Sequence, residues 1–145
     1  MSRLKISSND NQYFTSYFDE ELKLYEIVWH EASQDMEEEE YKQLLLNDKE
    51  GLYIYPQINF VLINLQNRLD TMSPELQEWS TKNIAPFFLE KSTHLKVAVV
   101  RSKDFSTQFS LEQALEEDNT PEEKAVTKHF ENEQEAREWI LDTQL

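Results

Sequence analysis

"FVLINLQNRLDTMSPELQEW", residues 60–79, is the stretch on which the fold turns. Phe60 to Ile63 form a continuous apolar run, the mark of a central strand covered on both faces. The run gives way to polar residues, and Ser73 then opens a helix. Ser73 is a good N-cap, Pro74 suits the first helical position, and Glu75 suits the positive end of the helix dipole. Leu76, Trp79, Ile84, Phe87 and Phe88 supply the apolar side of a helix over 73–92. Pro86 is expected to kink or divide it.

The pattern repeats on both sides. Downstream, "HLKVAVVRS" (94–102) carries a second buried strand in Val97 to Val100. "DFSTQFSLEQALEED" (104–118) reads as a short helix, with Ser110 and Gln113 fitting a capping box. Residues 119–126 form a polar connection around Pro121. "TKHFE" (127–131) is an edge strand, and "NEQEAREWIL" (132–141) a helix capped by Asn132 with Ala136, Trp139 and Ile140 inward. Upstream, "QYFTSYFD" (12–19) and "LKLYEIVWH" (22–30) make an antiparallel hairpin around the turn 19–21. In the second of these, Leu22, Leu24, Glu26 and Val28 share one parity, and Lys23, Tyr25, Ile27 and Trp29 the other. "DMEEEEYKQLLLNDKEGLYIY" (35–55) changes to helical spacing at Met36, Tyr41, Leu44 and Leu45. Asp35 is its expected cap, and Glu37 to Glu39 favour its N-terminal end.

The resulting order is β–β–α–β–α–β–α–β–α. It predicts an α/β fold: a single layer of mostly parallel sheet with an N-terminal antiparallel hairpin and helices packed on it. Residues 1–10 are expected to be a flexible lead-in and residues 11–145 a single domain.

Bulk properties narrow the function. A chain of 145 residues and 17.3 kDa is one domain's worth and can bury roughly 70% of its unfolded surface. It has no cysteine, which excludes disulfides, thiolate metal sites and thiol nucleophiles. The first residues lack an apolar run of signal-peptide length, and nothing approaches a membrane span. The expected location is cytoplasmic. The net charge of −15 repels nucleic acid and anionic membranes and favours basic surfaces. Asp19 to Glu40 holds ten acids against Lys23 alone, and Glu112 to Glu138 ten acids against Lys124, Lys128 and Arg137. These clusters read as solvated helix faces and turns. Gly51 is the only glycine, so no phosphate-cradling glycine loop exists.

Catalytic constellations do not emerge. His30, His94 and His129 sit at strand edges far apart in sequence. Ser102, Ser106 and Ser110 lack a nucleophile-elbow context. Paired carboxylates are too abundant to single any out. The aromatic content of 12% is high, and "FFLEK" and "DFSTQF" are the segments suited to lining an apolar cleft or a partner surface.

Five stretches carry a resemblance: "YFDEELKLYEIVW", "EEEYKQLLL", "FVLINLQN…MSPELQEW", "LKVAVVRSKD" and "HFENEQEAREWI". In these the chain resembles the SpoIIAA-like branch of the STAS domains, sometimes grouped as STAS/Sec14-like proteins, over about residues 12–142. The resemblance implies an α/β layer fold without a catalytic constellation. The best-known members antagonise anti-sigma factors, and a serine at the start of the helix after the central strand is phosphorylated by a partner kinase. On this chain that serine is Ser73. The surroundings depart from the regulatory pattern: Met72 stands where an aspartate would precede the target, Pro74 and Glu75 follow, and the glycine is missing.

The expected function is therefore a non-enzymatic protein-interaction module, without cofactor or metal. It would bind another protein, or a second copy of itself, around the helix start and neighbouring strand ends. The candidate contact residues are Ser73, Asn67, Arg68, Asp70, Arg101 and Lys103, with Ser73 read as a cap before a phosphoswitch. The alternative is a small apolar-ligand or lipid carrier, which requires a cavity of about 300 Å³ or more.

Overall fold

Phe60–Asn64 forms a strand whose side chains are buried in both directions. The structure, a computed structural model, describes residues 3–67, 73–101 and 125–141. Among them, six strands form one sheet in sequence order: β1 (Arg3–Lys5), β2 (Phe14–Asp19), β3 (Leu24–Trp29), β4 (Phe60–Asn64), β5 (Leu95–Val100) and β6 (Ala125–Phe130). β1, β2 and β3 pair antiparallel, and β3 through β6 pair parallel. The fold is α/β, with the expected hairpin and parallel layer. The helices are α1 (Glu38–Leu52), α2 (Pro74–Asn83), α3 (Ala85–Glu90) and α4 (Glu133–Leu141). A 3₁₀ turn over Glu31–Asp35 precedes α1.

Alternation along the strands sorts the core into two halves. Tyr25, Ile27, Trp29, Val61, Leu65, Leu95 and Val99 pack with Tyr41 and Leu52 of α1, Leu76 of α2 and Phe87 of α3. Leu24, Phe60, Leu62, Ala98 and Val100 pack with Ala136 and Ile140 of α4. Both faces are therefore covered. This is why the central strands read as unbroken apolar runs rather than alternating ones.

Several local expectations need correction. Within the lead-in expected over 1–10, Arg3, Leu4 and Lys5 pair with Asp19, Phe18 and Tyr17, and Ser7 is buried. α1 is capped not by Asp35, which ends the 3₁₀ turn, but by Glu37. The Glu37 side chain accepts from the N3 amide while the Glu40 carboxylate accepts from Glu37 N at 3.0 Å, a reciprocal capping box. The hairpin loop runs through Lys23, whose φ of 59° is left-handed, so β3 starts two residues later than expected. Asp19 holds this loop by accepting from Leu22 N at 3.1 Å. The helix expected over 73–92 is divided at Ile84, with Pro86 in the first turn of α3. Asn132 caps α4 as expected, accepting from Glu135 N at 2.8 Å. The expected helix over 104–118 lies outside the described residues.

Candidate functional site: an apolar cavity with a buried acid

The parallel strands end together, since Asn64 is in register with Val100 and Leu65 N donates to Val100 O at 2.9 Å. Asn67, Ser73 and Arg101 therefore belong to the carboxyl end of the sheet, where crevices form in parallel α/β folds. Arg68, Asp70 and Lys103 lie outside the described residues.

Ser73 caps α2. Its hydroxyl accepts from Leu76 N at 3.2 Å and donates to Glu38 Oε2 at 2.9 Å. The same oxygen thus closes α2 and ties it to the first turn of α1. A phosphoryl group there would meet the Glu38 carboxylate and lose this hydroxyl donor.

The feature that stands out lies deeper. A cavity of ≈ 200 Å³ separates β3, β4, β5 and β6 from α1, α2 and α3. Its walls are almost wholly apolar and aromatic, including Ile27, Trp29, Leu45, Ile63, Phe88 and Val97. Its size falls below what the carrier reading required. That volume suits a single ring: an apolar cavity of about 150 Å³ already accepts benzene.

One wall is polar. The Tyr25 hydroxyl donates to Asp48 Oδ2 at 2.6 Å, and both residues line the cavity. Asp48 is 4% exposed. Burial raises its pKa above the ordinary 3.8, and the Ser16 and Tyr25 hydroxyls oppose that rise. Burial, and then Asp48, push Tyr25 well above the usual tyrosine range. Tyr25 is therefore a hydrogen-bond donor at neutral pH rather than a nucleophile. Ser16 Oγ completes no hydrogen bond of normal geometry, yet it lies close enough to favour the charged form of both neighbours.

No cation lies within ion-pair distance of Asp48 among the described residues. Lys49, the next residue, sends its Nζ to Asn83 O at 3.0 Å instead. No group of three or more metal-ligating side chains occurs among the described residues, and none of their helices is long and apolar enough to cross a membrane.

Sequence reasoning missed Asp48, although a signal was present. Tyr41, Leu44, Leu45, Asp48 and Leu52 follow three- and four-residue spacing, so Asp48 is an acid on the inward stripe of a helix.

Comparison of the chain with protein-family models, curated proteins and solved structures returns no match.

Proposed function

We propose that this chain is a non-enzymatic binding protein that holds a small, mostly apolar molecule between its parallel sheet and α1–α3. The carrying observation is the ≈ 200 Å³ aromatic-lined cavity with the hydrogen-bonded pair Tyr25 and Asp48 in its lining. Small-ligand sites combine these elements: apolar walls for affinity and few polar groups for orientation. The STAS/Sec14-like resemblance is compatible with this reading, because it brings no catalytic constellation. A ligand of one ring, with its polar head toward Tyr25 and Asp48, fits the volume.

The test is a titration of the full chain with toluene, followed by amide chemical shifts and thermal unfolding. The reading expects saturable shifts centred on Ile63, Val97 and Leu45, with a concentration-dependent rise in Tm. Shifts scattered over the surface without saturation would contradict it.

A second reading, a protein-interaction module, draws on a separate observation. Tyr53 and Ile54, at 71% and 79% exposure, stand side by side after α1, and Tyr53 stacks on Phe87 at 6.1 Å between ring centroids. Adjacent exposed aromatic and aliphatic side chains are the composition of a partner-binding anchor. Under this reading, Tyr53→Ala with Ile54→Ser abolishes capture of a partner and leaves toluene binding intact. Unchanged capture would set the reading aside.

A further inference from the structure

We propose that the ligand is an organic cation, a small protonated amine carrying one apolar ring, whose ammonium group pairs with Asp48. This inference deepens the binding reading above and rests on it.

A carboxylate taken out of water costs several kcal/mol unless a cation or a full set of donors replaces the lost hydration. Among the described residues Asp48 has neither a cation nor that full set. Its one hydrogen bond of normal geometry comes from Tyr25, and a carboxylate can accept about four. The nearest lysine in sequence, Lys49, points to the Asn83 carbonyl. Of the other buried acids, Asp19 accepts from the Leu22 amide, and Glu26, on the opposite face of the sheet, meets the cations Arg3 and Arg137. Among the described residues, the lack of an ion pair at Asp48 coincides with the cavity. The space beside the acid is the space a ligand would fill.

The aromatic part of the lining agrees in sign, while Lys49, which also lines the cavity, is engaged through its Nζ by Asn83 O. Tyr25, Trp29, Tyr41 and Phe88 bring aromatic rings to the same cavity. Ring faces attract cations, more strongly when both are withdrawn from water. The net charge of −15 raises the local concentration of cations and lowers that of anions. A carboxylic acid ligand would place two carboxylates together in low dielectric. A neutral alcohol would satisfy one oxygen of Asp48 but leave its charge unpaired.

Three near-isosteric probes separate these cases: benzylammonium, benzyl alcohol and benzoate. Each is titrated by calorimetry and amide shifts into the full chain, into Asp48→Asn and into Tyr25→Phe, at neutral pH and two salt concentrations. The expected result for the unmodified chain is benzylammonium at least tenfold tighter than benzyl alcohol, with benzoate weakest. Asp48→Asn should bring the amine and the alcohol to equal affinity while retaining alcohol binding. Tyr25→Phe keeps the carboxylate and should keep the amine preference, so a folding defect in one variant leaves the other as the test.

Equal affinity for amine and alcohol in the unmodified chain would overturn the inference while leaving the cavity reading in place. So would an amine preference that survives Asp48→Asn or vanishes with salt, which is the signature of attraction to surface acids alone. Failure of every probe to bind would overturn the cavity reading and the inference together.

Discussion

Two of the three carboxylates buried among the described residues, Glu26 and Asp48, lie on opposite faces of the sheet and have been treated in opposite ways. Glu26, 3% exposed, faces α4. It accepts from Arg3 at 3.2 Å and from Arg137, and Arg137 is also held by Glu133 at 2.7 Å. Burial works against the charge on Arg137, and the two glutamates more than offset it. Asp48, 4% exposed, faces the cavity and, among the described residues, accepts a hydrogen bond from the Tyr25 hydroxyl without an ion pair. The first acid joins β1, β3 and α4 into one assembly, so its surroundings are complete. The second is incomplete, and the open volume lies next to it. A complete charge cluster points to architecture, an incomplete one beside a cavity to binding.

The comparison can be broken at several points. The largest effect is expected at Arg137→Ala, which leaves Glu26 with only the half-exposed Arg3. Removing one partner of a buried pair costs about 3–5 kcal/mol, and the 31% exposure of the Arg137 side chain lowers this to about 2–3 kcal/mol. Urea unfolding measures it, and a loss under 1 kcal/mol would remove the contrast. Tyr25→Phe should cost about 1–3 kcal/mol at neutral pH, because it strips the principal donor from a buried acid.

Asp48→Asn sharpens the comparison through its pH dependence. The folded pKa of Asp48 lies above the unfolded one, so the folded chain takes up this proton first as pH falls. The associated stability is full below the unfolded value and is lost as pH rises through the folded one. The variant should therefore gain on the unmodified chain between acid and neutral pH. Tyr25 of β3, Ser16 of β2, and Tyr41 and Lys49 of α1 face or flank the group. Parallel stability–pH curves for the two chains would contradict the assignment. The smallest effect belongs to Ser73→Ala, a loss of about 1 kcal/mol from the α2 cap. Ser73→Asp keeps a capping acceptor but opposes Glu38, so it should fall between the two.

The layer architecture could be read from residues alone because Phe60–Ile63 and Val97–Val100 are apolar without interruption. Helices on both faces demand that pattern. Ser73 and Asn132 announced their helices because a capping hydroxyl or amide is a local device. What escaped the reading is mostly non-local. Arg3–Lys5 is too short and polar to show a strand period, and it is held by pairing with β2 and by Glu26. Glu37 displaced Asp35 as a cap because Glu40, three residues on, completes a reciprocal pair. Lys23 adopts a left-handed conformation that side-chain type does not advertise. Glu26 and Asp48 both stood on apolar positions, and the partner of each comes from a distant element. Ser73, Asn67 and Arg101 were placed at the correct end of the sheet, yet the residues around the cavity are Tyr25 and Asp48. A cavity is a property of how layers fail to meet, and no single segment encodes it.

The most direct test of the central claim is a crystal structure of the full chain under xenon pressure. Xenon enters dry apolar cavities and avoids polar surface. The account predicts xenon between the sheet and α1–α3, in contact with Ile63 and Phe88 and close to the Tyr25–Asp48 pair. A cavity filled by the protein's own side chains, with no xenon beside Asp48, would contradict it.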